Sequence, residues 1–255
     1  MPDTILVTGA NSFIGGWIIK YLLDKGYNVR GTVRSQAKEA RVLDGIPKDQ
    51  QCQISFVHIN DVTTDSFDEA VQDVDGIIHV ASPVHLTVTD PEKEFLLPAI
   101  NGTMGVLQAA HKYNQNHPTK IKRIVITSSF AAVFDPSKGI QSDYTYTEKD
   151  WCSLTYTDGV AAKNDRVTAY RVSKTCAEHA AWEFLDKEKP SFTIATIFSN
   201  HDTKCICRVE GALLAEVTTS IESFVEGILK QLIKYLLSRG EHHRVESHIE
   251  TLLFS

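Results

Sequence analysis

The sequence predicts an α/β fold in which helices cover both faces of a doubly wound parallel sheet. Three observations support this prediction. Short runs rich in β-branched residues recur along the chain, stretches with helical spacing lie between them, and each run is almost entirely apolar. Strands that lack polar alternation are buried on both faces, as in a parallel sheet. Alternating strands and helices of this kind bind ligands at the carboxyl ends of the strands.

Six strands are predicted in order along the chain. Each is a short apolar run bounded by polar or turn-forming residues. They are TILVTG (4–9), YNVRGTV (27–33), ISFVHI (54–59), GIIHVAS (76–82), RIVITSS (123–129) and FTIATIF (192–198).

Helices are predicted between and after these strands, where apolar residues recur every three or four positions. They cover residues 13–25, 35–44, 64–72, 92–116 and 168–187. A further amphipathic helix is predicted near 213–237, because one apolar face repeats there at helical spacing. Its apolar positions are Leu213, Leu214, Val217, Ile221, Phe224, Val225, Ile228, Leu232 and Leu236.

The composition is that of an ordinary globular chain. Its 255 residues are 42% hydrophobic and 23% charged, which suffices for a large core. A net charge of -6 gives no reason to expect nucleic acid or a membrane surface as a partner. We find no secretory signal, no apolar run long enough to span a bilayer, and only scattered cysteines. We therefore expect a reduced, cytoplasmic protein without a metal site.

The turn TGANSFIG, residues 8–15, follows the first strand and opens the first helix. Free N–H groups at such a helix start can hold a pyrophosphate. The middle glycine of the usual pattern is replaced by Ser12, and a purely structural turn would need only Gly9. We interpret Ser12 as a tolerated variant, because its hydroxyl can itself donate to phosphate. The residues expected to bind the cofactor are Gly9, Asn11, Ser12, Phe13, Ile14 and Gly15.

The end of the second strand distinguishes NAD from NADP. An NAD site has an acid there to bind the ribose 2′-hydroxyl, whereas a 2′-phosphate needs cations. The strand ends as GTVRSQAK, without an acid and with Arg34 and Lys38 in reach. The planar guanidinium of Arg34 suits a phosphate. A solvated basic helix start is the alternative, and the missing acid favours NADP(H).

The stretch AYRVSK places Tyr170 and Lys174 four residues apart, on one face of a predicted helix. A free tyrosine has a pKa of about 10, and a nearby ammonium favours the phenolate. Taken alone, this pair would be explained by an amphipathic helix that carries a tyrosine and a lysine at this spacing by chance. The fifth strand, however, ends in TSS, where a hydroxyl could bind a substrate oxygen. The ordered set of loop, basic strand end, serine and Tyr-x-x-x-Lys is far more specific than any part.

With these motifs the sequence resembles the extended short-chain dehydrogenase/reductases. Within them it is most similar to the NADPH-dependent carbonyl reductases related to dihydroflavonol, cinnamoyl-CoA and methylglyoxal/ketone reductases. The resemblance covers residue 4 to about 197 through VTGANSFIG, VRSQAK, HVASP, LLPAINGTMGVL, RIVITSSFAAVFD and AYRVSKTCAEHAAWEFL. It implies an NADP-binding Rossmann domain over 1–198. It also implies adenine contacts by Asp61 and Val62 and cofactor contacts by Ala81 and Ser82.

The resemblance further implies hydride transfer from NADPH to a small aldehyde or ketone. Ser129 and Tyr170 would bind the carbonyl oxygen, with Tyr170 as the proton donor. Lys174 would tune the tyrosine and position the ribose, so both helix residues also contact the cofactor. Reductases of this group often pair through the helices predicted here at 92–116 and 168–187, which implies a homodimer, although many relatives are monomers.

The resemblance ends after the sixth strand. The family continues with an Asn-Pro pair where this sequence has Phe198 and Ser199. We expect residues 199–255 to be an atypical, mostly helical remnant of a truncated substrate domain. An unremoved intron, a shifted reading frame or alternative splicing would each account for such a segment.

Three functions remain open from the sequence. The first is an NADPH-dependent reductase of aldehydes and ketones. The second is an NAD-dependent sugar-nucleotide epimerase or dehydratase, which shares Tyr-x-x-x-Lys but often bears an acid after the second strand. The third is a non-catalytic product that binds NADP and turns over nothing.

Overall fold

The structure is a computed structural model of the 255-residue chain. It describes residues 2–82, 88–118, 120–139, 144, 146–199, 204–209 and 212–217. Six parallel strands form the sheet, in the order β3-β2-β1-β4-β5-β6, which confirms the predicted fold class. They are β1 (Thr4–Thr8), β2 (Asn28–Val33), β3 (Ile54–His58), β4 (Gly76–His79), β5 (Arg123–Thr127) and β6 (Thr193–Ser199).

Within the described residues, five α-helices connect or follow these strands. They are α1 (Phe13–Asp24), α2 (Gln36–Asp44), α3 (Leu97–Asn116), α4 (Tyr156–Ala161) and α5 (Arg166–Glu188). A π-helical turn at Glu92–Leu96 leads into α3, so the helix predicted at 92–116 is confirmed with a wider first turn. The first, second and fifth predicted helices are confirmed as α1, α2 and α5.

Residues that alternate along β1 lie in two cores, one on each face of the sheet. Ile5 and Val7 lie in the core that α1 covers, and Leu6 lies in the core that α3 and α5 cover. The helix residues that fill these cores are Ile18, Ile19 and Leu22 from α1, Val106 and Leu107 from α3, and Ala181, Phe184 and Leu185 from α5. Burial on both faces explains why the central strands β1, β4 and β5 are mostly apolar.

The helix predicted at 64–72 is wrong, because these residues form turns. Short polar side chains bind the local backbone there. The Asp65 carboxylate accepts the N–H groups of Asn60 and Asp61, and Ser66 Oγ accepts the N–H of Asp68. Such bonds compete with helical ones. The apolar periodicity that suggested a helix still buries Phe67, Val71 and Val74.

Two antiparallel strands, β7 (Lys204–Val209) and β8 (Ala212–Val217), extend the sheet beyond β6. The helix predicted near 213–237 is therefore wrong at its start, since Leu213, Leu214 and Val217 lie on β8. Two residues, Glu210 and Gly211, separate the paired runs in the sequence, a spacing typical of a hairpin. The rest of that helix prediction lies outside the described residues, and a separate domain over 199–255 stays a proposal.

In the part of the chain that the structure describes, none of the helices combines the length and the hydropathy needed to cross a bilayer.

Candidate active site

The predicted site residues follow the carboxyl ends of parallel strands or lie on α5. Because β1 to β5 run in one direction, the segments after them leave the sheet at the same edge. The chain reverses its direction of winding between β1 and β4, which is the point where doubly wound sheets bind ligands. The residues brought to this edge are the loop 9–15, Arg34, Asp61, Val62, Ala81, Ser82 and Ser129.

The loop after β1 is tightly closed by its own hydrogen bonds. Gly9 has φ of 68°, a conformation that glycine adopts without strain. Ser12 caps α1: its N–H donates to Gly9 O at 3.0 Å and its Oγ accepts the Gly15 N–H at 3.0 Å. A Cβ on Gly15 would lie 2.4 Å from Gly9 O. The loop therefore requires glycine at 9 and 15, and a serine at 12 serves as the helix cap.

This loop is attached to β2 and to the segment after β4. The Gly9 N–H donates to Thr32 Oγ1 at 3.2 Å, and the Ala10 N–H donates to Thr32 O at 3.0 Å. On its other side, a Cβ on Gly9 would lie 3.1 Å from Ala81 Cα. The predicted cofactor residues Ala81 and Ser82 thus lie directly beside the loop, half-buried.

A buried Thr8–His79 pair joins β1 to β4, and sequence reasoning missed it. Thr8 Oγ1 accepts the N–H groups of Val80 and Ala81 at 3.0 and 3.1 Å. Its own proton is then directed to His79 Nδ1, 2.9 Å away. Burial lowers the pKa of His79 to about 3, with Lys174 acting in the same direction, so the imidazole is neutral. The pair fixes the Ala81 segment against the loop.

The cations predicted to bind a 2′-phosphate are exposed. Arg34 directly follows β2, and Lys38 lies in the first turn of α2. Asp61 and Val62 follow β3 on the same edge. The Asp61 carboxylate accepts the Thr63 N–H at 2.8 Å, and this bond, aided by the charge of Arg34, holds the pKa of Asp61 below its ordinary value. Arg34 and Asp61 thus lie near enough for the charge of Arg34 to act on the Asp61 carboxylate.

Lys174 is buried on α5, with its amine at the end of β5. Its Nζ donates to Thr127 O at 3.4 Å and lies 6.0 Å from the ring centroid of Tyr170, one helical turn earlier. Burial lowers the pKa of Lys174 to about 8, and the charge of Glu178 opposes this shift. The half-buried Tyr170 and the buried Lys174 share one face of α5, as their spacing predicts.

Ser129 is the second residue after β5. Its Oγ accepts the Ala131 N–H at 3.1 Å and caps a 3₁₀ turn at Phe130–Ala132. The helix α5 packs against this turn. Lys174 and the Thr127–Ser129 segment are thus brought together at one point of the edge.

Aromatic rings surround this turn, which the sequence did not indicate. The Phe130 and Tyr146 centroids lie 5.3 Å apart at nearly right angles, and Phe134 lies 5.8 Å from Tyr146. The guanidinium of Arg171, the residue after Tyr170, lies 4.8 Å from the Phe134 centroid. Such rings offer a flat apolar surface beside the candidate hydroxyls.

Comparison with known proteins adds independent findings. Residues 5–244 match the model of the NAD dependent epimerase/dehydratase family. An uncharacterized oxidoreductase of Schizosaccharomyces pombe is 43% identical over 197 residues, covering 76% of this chain and 56% of its own length. The NADPH-dependent methylglyoxal reductase of Saccharomyces cerevisiae is 36% identical over 193 residues, covering 74% of this chain and 54% of its own length.

A solved structure has a fold similar to that of this chain. The crystal structure of yeast methylglyoxal/isovaleraldehyde reductase complexed with NADPH superposes with a TM-score of 0.70 at 33% identity, covering 78% of this chain and 58% of that chain. This chain thus spans a little over half the length of the two curated relatives.

Proposed function

The chain belongs to the NAD dependent epimerase/dehydratase family, and from this premise we propose that it binds NADP(H) and reduces aldehydes or ketones. The observation that carries the proposal is the position of Lys174, whose buried amine contacts Thr127 O two residues before Ser129 while Tyr170 shares its helix face. This arrangement supports a Ser-Tyr-Lys site at the carboxyl edge of the sheet. The names of the relatives, which include NADPH-dependent reductases, support the same activity.

The residues of the loop fit a dinucleotide. A Cβ at Gly9 would press on the Ala81 backbone and one at Gly15 would press on Gly9 O, so both glycines keep the turn before α1 tightly closed. The positive end of the α1 dipole faces this loop, which favours a pyrophosphate there. Arg34 and Lys38 support NADP(H) over NAD(H), since each could pair with a 2′-phosphate. Asp61, Val62, Ala81 and Ser82 would line the remainder of the cofactor.

The chemistry follows from three side chains. Bound NADPH supplies the hydride. Tyr170 Oη donates its proton to the substrate oxygen as negative charge develops there. Ser129 Oγ donates a hydrogen bond to the same oxygen and stabilises that charge. Lys174 Nζ would bind the ribose hydroxyls, and its positive charge would favour proton release from Tyr170.

Two alternatives have less support. An NAD-dependent epimerase or dehydratase would favour an acid after β2, and Arg34 stands there. A chain that binds NADP without turnover shares every feature described for the cofactor and differs only in its activity.

One experiment separates these functions. The purified 255-residue chain is titrated with NADPH and then assayed for NADPH oxidation with a panel of aldehydes and ketones. Binding with turnover supports the reductase, and binding without turnover supports the non-catalytic product. Isolation of the chain with retained NAD, together with failure to bind NADPH, would support the epimerase or dehydratase.

Assembly and location belong to the same proposal. A symmetric homodimer through α3 and α5 would bury one patch against its copy. These helices pack together and form a groove of about 380 Å³ whose lining includes Met104, Ala180 and Phe184. Sedimentation at micromolar concentration would decide between dimer and monomer. A cytoplasmic location stays a prediction.

A further inference from the structure

Glu178 is a buried acid on α5, with 1% of its surface exposed. Its Oε2 accepts the Ser128 hydroxyl proton at 2.5 Å. Its Oε1 accepts from the Thr196 hydroxyl at 2.6 Å and from the Trp182 indole at 3.4 Å. An indole N–H can only donate, so this oxygen acts as an acceptor, as the oxygens of a carboxylate do. The acid is therefore well satisfied rather than stranded in the core.

Two of the three donors to Glu178 lie on a strand or directly after one. Ser128 follows β5, Thr196 lies on β6, and the Ser128 N–H donates to Ile197 O at 2.8 Å. One carboxylate therefore ties α5 to the carboxyl end of β5 and to the middle of the neighbouring strand β6. This anchor fixes both the rotation of the helix and its position along the strands.

Successive residues at the end of β5 contact residues of α5 that are one helical turn apart. Lys174 binds the carbonyl of Thr127, and Glu178, one turn later on the helix, binds the hydroxyl of Ser128. The next residue is Ser129, the candidate catalytic hydroxyl. The spacing of 170, 174 and 178 places the proton donor, the cation and the anchor along one face of α5.

We propose that Glu178 is a positioning residue for this site: it anchors α5 to β5 and β6 and keeps a negative charge beside Lys174, so that Lys174 meets the cofactor as a cation. The inference rests on the proposed function, which gives Lys174 its purpose. A neutral lysine would still hydrogen-bond a ribose, but it would no longer favour proton release from Tyr170.

The charges around Lys174 support this role. In the described part of the chain, the titratable groups that face it are His79 from β4 and Tyr170 and Glu178 from α5. His79 is neutral, because burial lowers its pKa to about 3. Burial also lowers the pKa of Lys174 to about 8, and the charge of Glu178 raises it. Glu178 is thus the acid that keeps this lysine protonated near neutral pH.

The test follows the lysine itself and needs no cofactor. The full chain is prepared with ¹³C-labelled lysine, and the Lys174 resonance is identified by its absence in Lys174→Arg. Its titration is recorded by NMR in the wild type, Glu178→Gln and Glu183→Gln. Glu183 lies exposed on the same helix and provides the charge-matched control. We expect a wild-type midpoint near pH 8, a midpoint about one pH unit lower in Glu178→Gln, and no change in Glu183→Gln.

Conservative replacement separates charge from shape. Glu178→Asp keeps the charge with a shorter side chain and should restore most of the wild-type midpoint. Should Glu178→Gln fail to fold, Glu178→Asp still tests the inference. Its carboxylate lies farther from Lys174, so the titration midpoint of Lys174 should fall slightly below the wild-type value. Equal midpoints in the wild type and in every folded Glu178 variant would overturn the inference. NADPH titration of the same wild-type sample tests the proposed function separately, since failure to bind leaves the lysine midpoints interpretable.

Discussion

The amine of Lys174 donates a hydrogen bond to the carbonyl oxygen of Thr127 at 3.4 Å, which places a buried cation at the carboxyl end of a central strand. A group of this kind is costly to bury. Its pKa falls from 10.5 in its ordinary environment to about 8, with burial as the main cause. Burial of the Lys174 ammonium therefore lowers the stability of the fold, and this loss of free energy can be measured.

Replacing Lys174 by Met should raise the free energy of unfolding at pH 7 by up to ~3 kcal/mol, less the lost hydrogen bond to Thr127. Below pH 8 the lysine is protonated in both states, so the cost of burying the charge is fully present. Between pH 8 and about 10.5 the unfolded chain binds more protons than the folded chain, so rising pH stabilises the wild type. Urea unfolding should show a smaller difference in the free energy of unfolding between Lys174→Met and the wild type at pH 9.5 than at pH 7. A Lys174→Met variant less stable than the wild type at pH 7 would contradict this account.

The loop at the start of α1 offers two adjacent glycines with opposite expectations. Gly15→Ala should lower the free energy of unfolding by about 1–3 kcal/mol and weaken NADPH binding at least about tenfold, because the new methyl would press on Gly9 O. Gly16→Ala is the matched control. A Cβ there meets nothing within 4 Å, so alanine should be neutral or stabilise the helix by up to about 1 kcal/mol. Similar effects from the two substitutions would show that the loop is not tightly closed.

Much of this fold could be predicted from the sequence because its central strands are buried on both faces. Apolar runs reveal such strands locally, and parallel strands bring their carboxyl ends to one edge. The failures also have local causes. Residues 64–72 have helical periodicity, but the side chains of Asp65 and Ser66 bind the backbone and favour turns. Near residue 213 the apolar residues have the spacing of a helix, but the chain pairs there with β7 as a strand.

The site was predictable only where a residue carries its own signal. Tyr170 and Lys174 are four residues apart, and the cofactor loop has a recognisable spacing. Glu178 and His79 have no such signal, because their partners are distant in the sequence: Ser128 is 50 residues from Glu178, and Thr8 is 71 residues from His79. The spacing of 174 and 178 was the one available hint, since it repeats the interval between 170 and 174.

Tyr170→Phe tests the chemistry. The change keeps the ring and removes the proton donor, so turnover of an aldehyde with NADPH should fall about 100-fold or more while NADPH binding changes little. Tyr156→Phe provides the control. Tyr156 lies on α4, its hydroxyl donates to Glu92 at 2.7 Å, and it has no role in the proposed reaction. Retention of activity within a factor of two in Tyr170→Phe would mean that the Tyr-Lys pair is structural.

The most direct test of the proposed function is the affinity of one preparation for NADPH and for NADH. Because Arg34 and Lys38 stand where an NAD site has an acid, NADPH should bind at least tenfold more tightly, a difference of about 1.4 kcal/mol. Arg34→Ala should remove most of that preference, while Arg41→Ala, an exposed arginine on α2, should leave it unchanged. Equal dissociation constants for NADPH and NADH in the wild-type chain would contradict the account.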